Sequence, residues 1–227
     1  MTEASDTLGV QAETKHAPVV PRPEFVERPL LAADFDGVIV NTLKTLVQIA
    51  HRMGKVFPST VGHTNELAAH GWTADEIDQI SNAAYAGDGA CYNEPLLGAV
   101  DGLKTLEQYF RVVVVTARHG QALVNARIIL GNLGLGHLQV VGERHTAAMK
   151  ASTLEEFGGA FAFVEDSPAN LVAALEHTLH AYLVTWPYNT DTWTEHRHML
   201  TELAAHEAWP RLVASLIQRA GIREEAA

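Results

Sequence analysis

The sequence predicts an α/β protein: a doubly wound, Rossmann-like parallel sheet with a small all-helical segment inserted after its first strand. Three observations carry this expectation. Short apolar runs bounded by turn residues recur along the chain, as buried parallel strands do. From Gly98 onward these runs alternate with stretches of helical periodicity, the pattern of repeated strand–helix units. Between Thr42 and Pro95 no strand candidate occurs, so that stretch reads as helices alone.

The elements follow in order. Residues 1–28 read as a flexible leader, because Pro18, Pro21 and Pro23 crowd together just ahead of Pro29, and proline removes donors and favours extended chain. The core is assigned to 29–41 and 95–227, and the helical insertion, adequate in size for a lid, to 42–94. Leu30–Phe35 is the first strand. Leu43, Leu46, Val47, Ala50 and Met53 recur at three- and four-residue steps and give one apolar helical face. Thr73 caps a second inserted helix, with Asp75 and Glu76 in its first turn and Ile77, Ile80 and Ala84 inward. Asp101–Phe110 is a helix and Val112–Val115 a buried strand. Gln121–Leu133 is a helix stopped by Gly134 and Gly136. Leu138–Val141, Thr146–Phe157 and Phe161–Val164 continue as strand, helix and strand, and Pro168 opens the next helix. His180–Thr185 is the last strand. His196–Arg219 is expected to be helical in two pieces, divided at Pro210.

Composition narrows the function. With 47% hydrophobic and 19% charged residues in 227, the chain is able to bury a core. A net charge of −11 argues against a nucleic-acid polymer as partner. A small phosphorylated metabolite stays compatible, since a metal ion can supply local positive charge. Cys91 is the only cysteine, so no intrachain disulfide forms and a reducing compartment is expected. No apolar run is long enough to span a membrane, and the acidic N-terminus is unlike a secretory signal. These features read as cytoplasmic. Nothing in the sequence determines the oligomeric state.

In an open parallel sheet, ligands bind beyond the carboxyl ends of the strands. Asp34 and Asp36 follow the first strand, Thr116, Ala117 and Arg118 the second, and Glu165 and Asp166 the fourth, with Lys150 in the helix before it. Four carboxyl groups on one edge repel one another unless a cation compensates, and hard oxygen donors suit Mg²⁺. Asp34, Asp36, Glu165 and Asp166 are therefore the candidate metal ligands. Asp34 is placed to attack phosphorus in line and form an aspartyl-phosphate. Asp36 would offer its carbonyl to the metal and its carboxyl as acid, then base. Thr116 and Lys150 would hold the equatorial oxygens, where charge builds. Phe35, Gly37, Ala117 and Arg118, interleaved with these groups, are the candidate substrate-binding positions.

Asp34-Phe35-Asp36-Gly37-Val38 resembles the first motif of the haloacid-dehalogenase superfamily. Val112-Val113-Val114-Val115-Thr116 resembles its second motif, Lys150 stands for the third, and Glu165-Asp166-Ser167 resembles the acidic fourth. The likeness spans about residues 30–190. It implies a three-layered core, a C1-type cap at 42–94 and, because Asp36 is present, phosphatase or phosphomutase rather than dehalogenase chemistry. Trp186-Pro187-Tyr188-Asn189 and Trp209 are similar to the tail of 5′(3′)-deoxyribonucleotidases. Glu165-Asp166-Ser167 instead resembles sugar-phosphate phosphatases and β-phosphoglucomutase-like members, so the subfamily stays open.

Plainer readings stand beside these. Asp-Gly is a common turn pair, Thr116 fits a helix N-cap, and Glu165 and Asp166 suit an acidic first turn. Arg118 either contacts substrate or points to solvent, and Asn170 either orients Asp166 or is exposed. His196 and His198, two apart, would face different ways on a helix, which disfavours a zinc reading. The leading function is hydrolysis of a small phosphomonoester, a nucleotide or sugar phosphate. The alternatives are transfer to an acceptor hydroxyl through the same intermediate, or a non-catalytic protein on the same fold.

Overall fold

The computed structural model describes residues 28–87, 93–190 and 196–222. The leader expected at 1–28 lies outside the described residues except for Arg28, as do Cys91, Tyr92 and Trp193.

Six strands form one parallel sheet: β1 (Leu30–Ala33), β2 (Arg111–Val115), β3 (Gln139–Val141), β4 (Ala160–Glu165), β5 (Thr178–Thr185) and β6 (Leu200–Ala204). Their order across the sheet is β3-β2-β1-β4-β5-β6. β1 lies in the middle, with Ala33 level with Val114 of β2 and Val164 of β4. The carboxyl ends of the motif-bearing strands are thus side by side. Burial on both faces explains the continuous apolar runs. Leu31, Ala33, Val112, Val114 and Val164 pack toward α3 (Ala99–Leu106), α4 (Gly120–Asn132) and α7 (Ala208–Arg219). Leu30, Ala32, Val113, Val115 and Phe163 pack toward α5 (Ala147–Glu156) and α6 (Pro168–Ala174). This is the doubly wound parallel sheet that the strand–helix alternation predicts, in the three layers that the resemblance implies.

Two elements differ from expectation. The tail is not helical from His196: Leu200–Ala204 is β6, paired in parallel with β5. Met199, Leu200, Leu203 and Ala204 have helical spacing, but β6 is an edge strand whose ladder in this sheet runs to β5 alone, and Leu203 is its only fully buried residue. Pro210 does not divide a helix either. It sits in the first turn of α7, where a missing N–H costs nothing.

The insertion holds α1 (Thr42–Arg52), a 3₁₀ segment at Thr64–His70, α2 (Ala74–Ser81) and a wider turn at Asn82–Ala86. It builds its own core from Leu46, Ile49, Phe57, Leu67, Trp72 and Ile80. The apolar stripe of α1 is turned from the expected one: Ile49 is buried, whereas Val47 is 45% exposed. Thr73 caps α2 as expected, and Glu76 returns a bond to the Thr73 N–H in a reciprocal capping box. The chain leaves and re-enters the core side by side, with Asn41 N–H donating to Glu94 O and Leu96 N–H to Ile39 O, both at 2.8 Å.

Candidate active site

Asp34 is the first residue beyond β1. Its N–H still donates to Val164 O at 2.9 Å, which registers the carboxyl against β4. Lys150, on α5, reaches across with Nζ 3.0 Å from Asp34 Oδ2 and 2.6 Å from Glu165 Oε2. Glu165 is fully buried, and its second oxygen accepts from Ser167 N–H. Oxygens of Asp34, Glu165 and Asp166 lie within 4.8 Å of one another. The structure thus brings the predicted third and fourth groups to the first.

Electrostatics here is unbalanced. Burial, reinforced by Glu165, pushes the Asp34 carboxyl well above the usual range. Burial and the nearby Asp34 push Asp166 up to about 6. Burial also raises Glu165, although Lys150 opposes it. Lys150 is held cationic against its own burial by Asp34 and Glu165. One ammonium therefore serves three carboxyl groups, and the residual repulsion is what a divalent cation would remove. Clustered hard oxygens fit Mg²⁺ in donor type. Asp34 and Asp166 are the ligands that fit best, since both keep some exposure (6% and 9%) whereas Glu165 is fully buried.

Asp36 points elsewhere. Arg118 grips it through two bonds, Nε to Oδ2 at 2.9 Å and Nη2 to Oδ1 at 2.7 Å, and the Thr42 hydroxyl donates to Oδ1. Burial would raise this carboxyl, but the guanidinium outweighs it and holds Asp36 below its ordinary value. The side chain of Asp36 is therefore not among the clustered metal-ligating oxygens, and only its carbonyl is left for that role. Arg118 neither points to solvent nor stands free. It is 4% exposed, lies over Phe35 at 4.7 Å and Tyr85 at 5.3 Å, and leaves Nη1 without a partner.

A cavity of about 710 Å³ opens between the sheet edge and the insertion. Asp34, Asp36, Gly37, Ala117, Arg118, Lys150, Glu165 and Asp166 all line it. Thr116 does not. It is 1% exposed behind Ala117, and its hydroxyl oxygen accepts from Arg118 N–H at 3.2 Å. The ring of Phe35 is fully buried in the core, which leaves its main chain for a substrate-binding role; its N–H donates to Asp34 Oδ1 at 2.7 Å. Gly37 has φ +71°, and a Cβ there would fall 2.3 Å from Asp166 Oδ2. Only glycine fits.

Several site residues escaped the sequence reading. Tyr188 lines the cavity and donates to Asp166 Oδ2 at 2.5 Å, and Asn189 Nδ2 donates to Asp166 O at 2.6 Å. Asn170 lines the cavity without bonding Asp166, so Tyr188 and Asn189 do the orienting. Trp186 Nε1 donates to Gly37 O at 2.8 Å. The Trp-Pro-Tyr-Asn turn was the available signal, but it stood out only as a likeness between tails. From the insertion, His63 and Asn65, which the sequence left open between site and solvent, face the cavity together with Asn82 and Tyr85. Asn41 caps α1, and Lys55 pairs with Glu76 and lies over Trp72.

No protein-family model matches the sequence, and no curated protein does. Solved structures do. A haloacid dehalogenase-like hydrolase from Streptococcus pneumoniae matches with a TM-score of 0.58 at 16% identity, over 83% of this chain and 98% of its own. A haloacid-dehalogenase-family hydrolase from Deinococcus radiodurans, solved with bound phosphate and sodium, matches with a TM-score of 0.58 at 16% identity, over 88% and 99%. A predicted phosphoglycolate phosphatase from Haemophilus somnus matches with a TM-score of 0.53 at 19% identity, over 73% and 90%. The chain has the haloacid-dehalogenase-like fold, a parallel α/β core with a helical insertion.

Proposed function

We propose that this protein is a Mg²⁺-dependent phosphatase acting on a small phosphomonoester through an aspartyl-phosphate on Asp34. The observation that carries the reading is the buried cluster of Asp34, Lys150, Glu165 and Asp166 at the floor of a cavity of metabolite size. The fold's recurrence in proteins described as phosphatases supports it.

Asp34 and Asp166, with the Asp36 carbonyl, would hold the metal. When bound, it would screen the carboxylates from an incoming phosphate and polarise the phosphoryl oxygens. Lys150 holds Asp34 Oδ2 in place and offers a further donor to an equatorial oxygen. Thr116, expected as a further donor, lies buried behind Ala117 and does not line the cavity. Glu165 keeps Lys150 charged and oriented. Asp36, ionised by its pairing with Arg118, is suited to drawing a proton from the water that attacks the aspartyl-phosphate. The same pairing opposes its earlier service as proton donor, so departure of the alcohol should be sensitive to leaving-group basicity.

The test is release of inorganic phosphate from a panel of nucleotides, sugar phosphates and aryl phosphates, with and without Mg²⁺. Chelation should abolish turnover and Mg²⁺ restore it. Asp34→Asn should lower kcat by about 10⁴-fold or more while leaving the fold intact. Undiminished turnover in metal-free protein, or in folded Asp34→Asn, would sink the mechanism.

A further inference from the structure

We propose that the cavity holds a second anion subsite, beside the phosphoryl position, that selects substrates whose leaving group carries its own acidic function. The inference rests on the phosphomonoester reading and names its substrate class: a phosphomonoester bearing a carboxylate or a second phosphoryl group, not a neutral sugar.

The subsite is built where α4 begins. The N-cap residue, His119, makes no side-chain capping bond, and among the described residues nothing accepts from the N–H groups of Gly120, Gln121 or Ala122. All three residues line the cavity. An uncapped start of a 13-residue helix presents free donors and the positive end of the peptide dipoles.

Two guanidinium groups supply the independent observation. Arg118 is 4% exposed, lines the same cavity and leaves Nη1 unpartnered. Arg144 also lines it, has its Nε buried without a partner, and forms no ion pair with any described residue. Buried guanidinium nitrogens without acceptors are costly, and Arg118 Nη1, on the side turned from Asp36, and Arg144 Nε have none. Arg144 is not loosely placed: its N–H donates to Thr116 O at 3.1 Å and that of Glu143 to Arg118 O at 2.9 Å, tying its loop to the one before α4. His119 and His145 meet edge to face at 4.8 Å and line the same wall. In a chain of net charge −11, this concentration of donors and cations, answered only by Asp36 on one side of Arg118, fits an anion supplied by the ligand.

Non-hydrolysable probes test this directly. Binding of 3-phosphonopropionate, 1,3-propanebisphosphonate and propylphosphonate is measured by titration calorimetry with Mg²⁺ present. The two doubly acidic probes, or one of them, should bind about 10-fold or more tighter than propylphosphonate. Whichever is preferred identifies the carboxylate or the phosphoryl as the second group. Arg144→Gln should reduce that preference to about 3-fold or less, and Arg144→Lys should retain part of it. Equal binding of all three probes to the wild type would overturn the subsite and leave the phosphatase reading standing. So would an Arg144→Gln loss that is the same for every probe, because Arg144 would then serve the transferred phosphoryl itself. Failure to bind any phosphonate would remove the phosphomonoester reading and this inference together.

Discussion

Arg118 shows how one residue changes the reading of its neighbours. Its fork takes both oxygens of Asp36, with the side chains only 3% and 27% exposed, so the pair is largely removed from water. Removing one partner from such a pair costs about 3 kcal/mol or more. Arg118→Gln should therefore lower the neutral-pH melting temperature by several degrees. The sign of its pH dependence follows from Asp36. That carboxyl is held below its ordinary value, so its stabilisation is present above the unfolded pKa of about 3.9 and lost as pH falls through the lower folded value. The Arg118→Gln deficit should shrink in acid. A deficit that is constant from pH 7 to 3, by thermal or urea denaturation, would mean the ion pair contributes nothing. Gly37 is constrained as tightly. Gly37→Ala must pay about 1–2 kcal/mol for its left-handed backbone and also drive Asp166 away, since the new Cβ would lie 2.3 Å from Oδ2. Loss of Mg²⁺ binding greater than that of any surface glycine variant is the expected result.

At the scale of elements, the turn after β5 and Asn125 in α4 act as braces. Tyr188 donates to Asp166 and stacks on Trp186, with the rings parallel to within 8°, while Trp186 holds the Gly37 carbonyl. Groups that orient a ligand often influence metal affinity 10- to 100-fold. Tyr188→Phe should thus weaken Mg²⁺ binding by about 10-fold with little change in secondary structure, as read by calorimetry and circular dichroism. Unchanged affinity would reduce Tyr188 to packing. Asn125 of α4 donates to Tyr85 O at 3.2 Å and Ala86 O at 3.0 Å, fastening the insertion's last turn to the core. Asn125→Ala should speed amide exchange around Asn82–Ala86 while leaving β1 and β4 protected. Exchange that rises equally across the sheet would point to global destabilisation instead.

For the whole molecule, the acidic floor sets a conflict between stability and function. Asp166, pushed up to about 6, binds its proton more tightly when folded than the unfolded value of about 3.9 allows. Its contribution is therefore most favourable below that unfolded value and is lost as pH rises through about 6. Metal-free protein should gain stability above pH 6 from Asp166→Asn, whereas the wild type alone should be stabilised by saturating Mg²⁺, by roughly 2–3 kcal/mol at 100 times Kd. Thermal denaturation of both proteins with chelator and with Mg²⁺ checks this. Among the described residues no helix is long and apolar enough to cross a membrane.

What the sequence by itself determined was periodic or adjacent in the chain. Five of the strands, the helices between them and the strandless insertion were legible because burial on two faces, or on one helical stripe, writes a repeating pattern. Asp34, Asp36, Lys150, Glu165 and Asp166 were legible because each follows or flanks such an element, and parallel strands bring their ends together. Thr73 was legible because a cap is a local bond. The tertiary structure alone decided what depends on partners far along the chain. Arg118 and Asp36 are 82 residues apart, and nothing local says that one grips the other rather than solvent or substrate. Tyr188 and Asn189 reach Asp166 across 22 and 23 residues. Leu200–Ala204 became a strand because β5 offered an open edge. The ring of Phe35 joined the core cluster of Leu31 and Ala33, beneath the Arg118 guanidinium that lines the cavity.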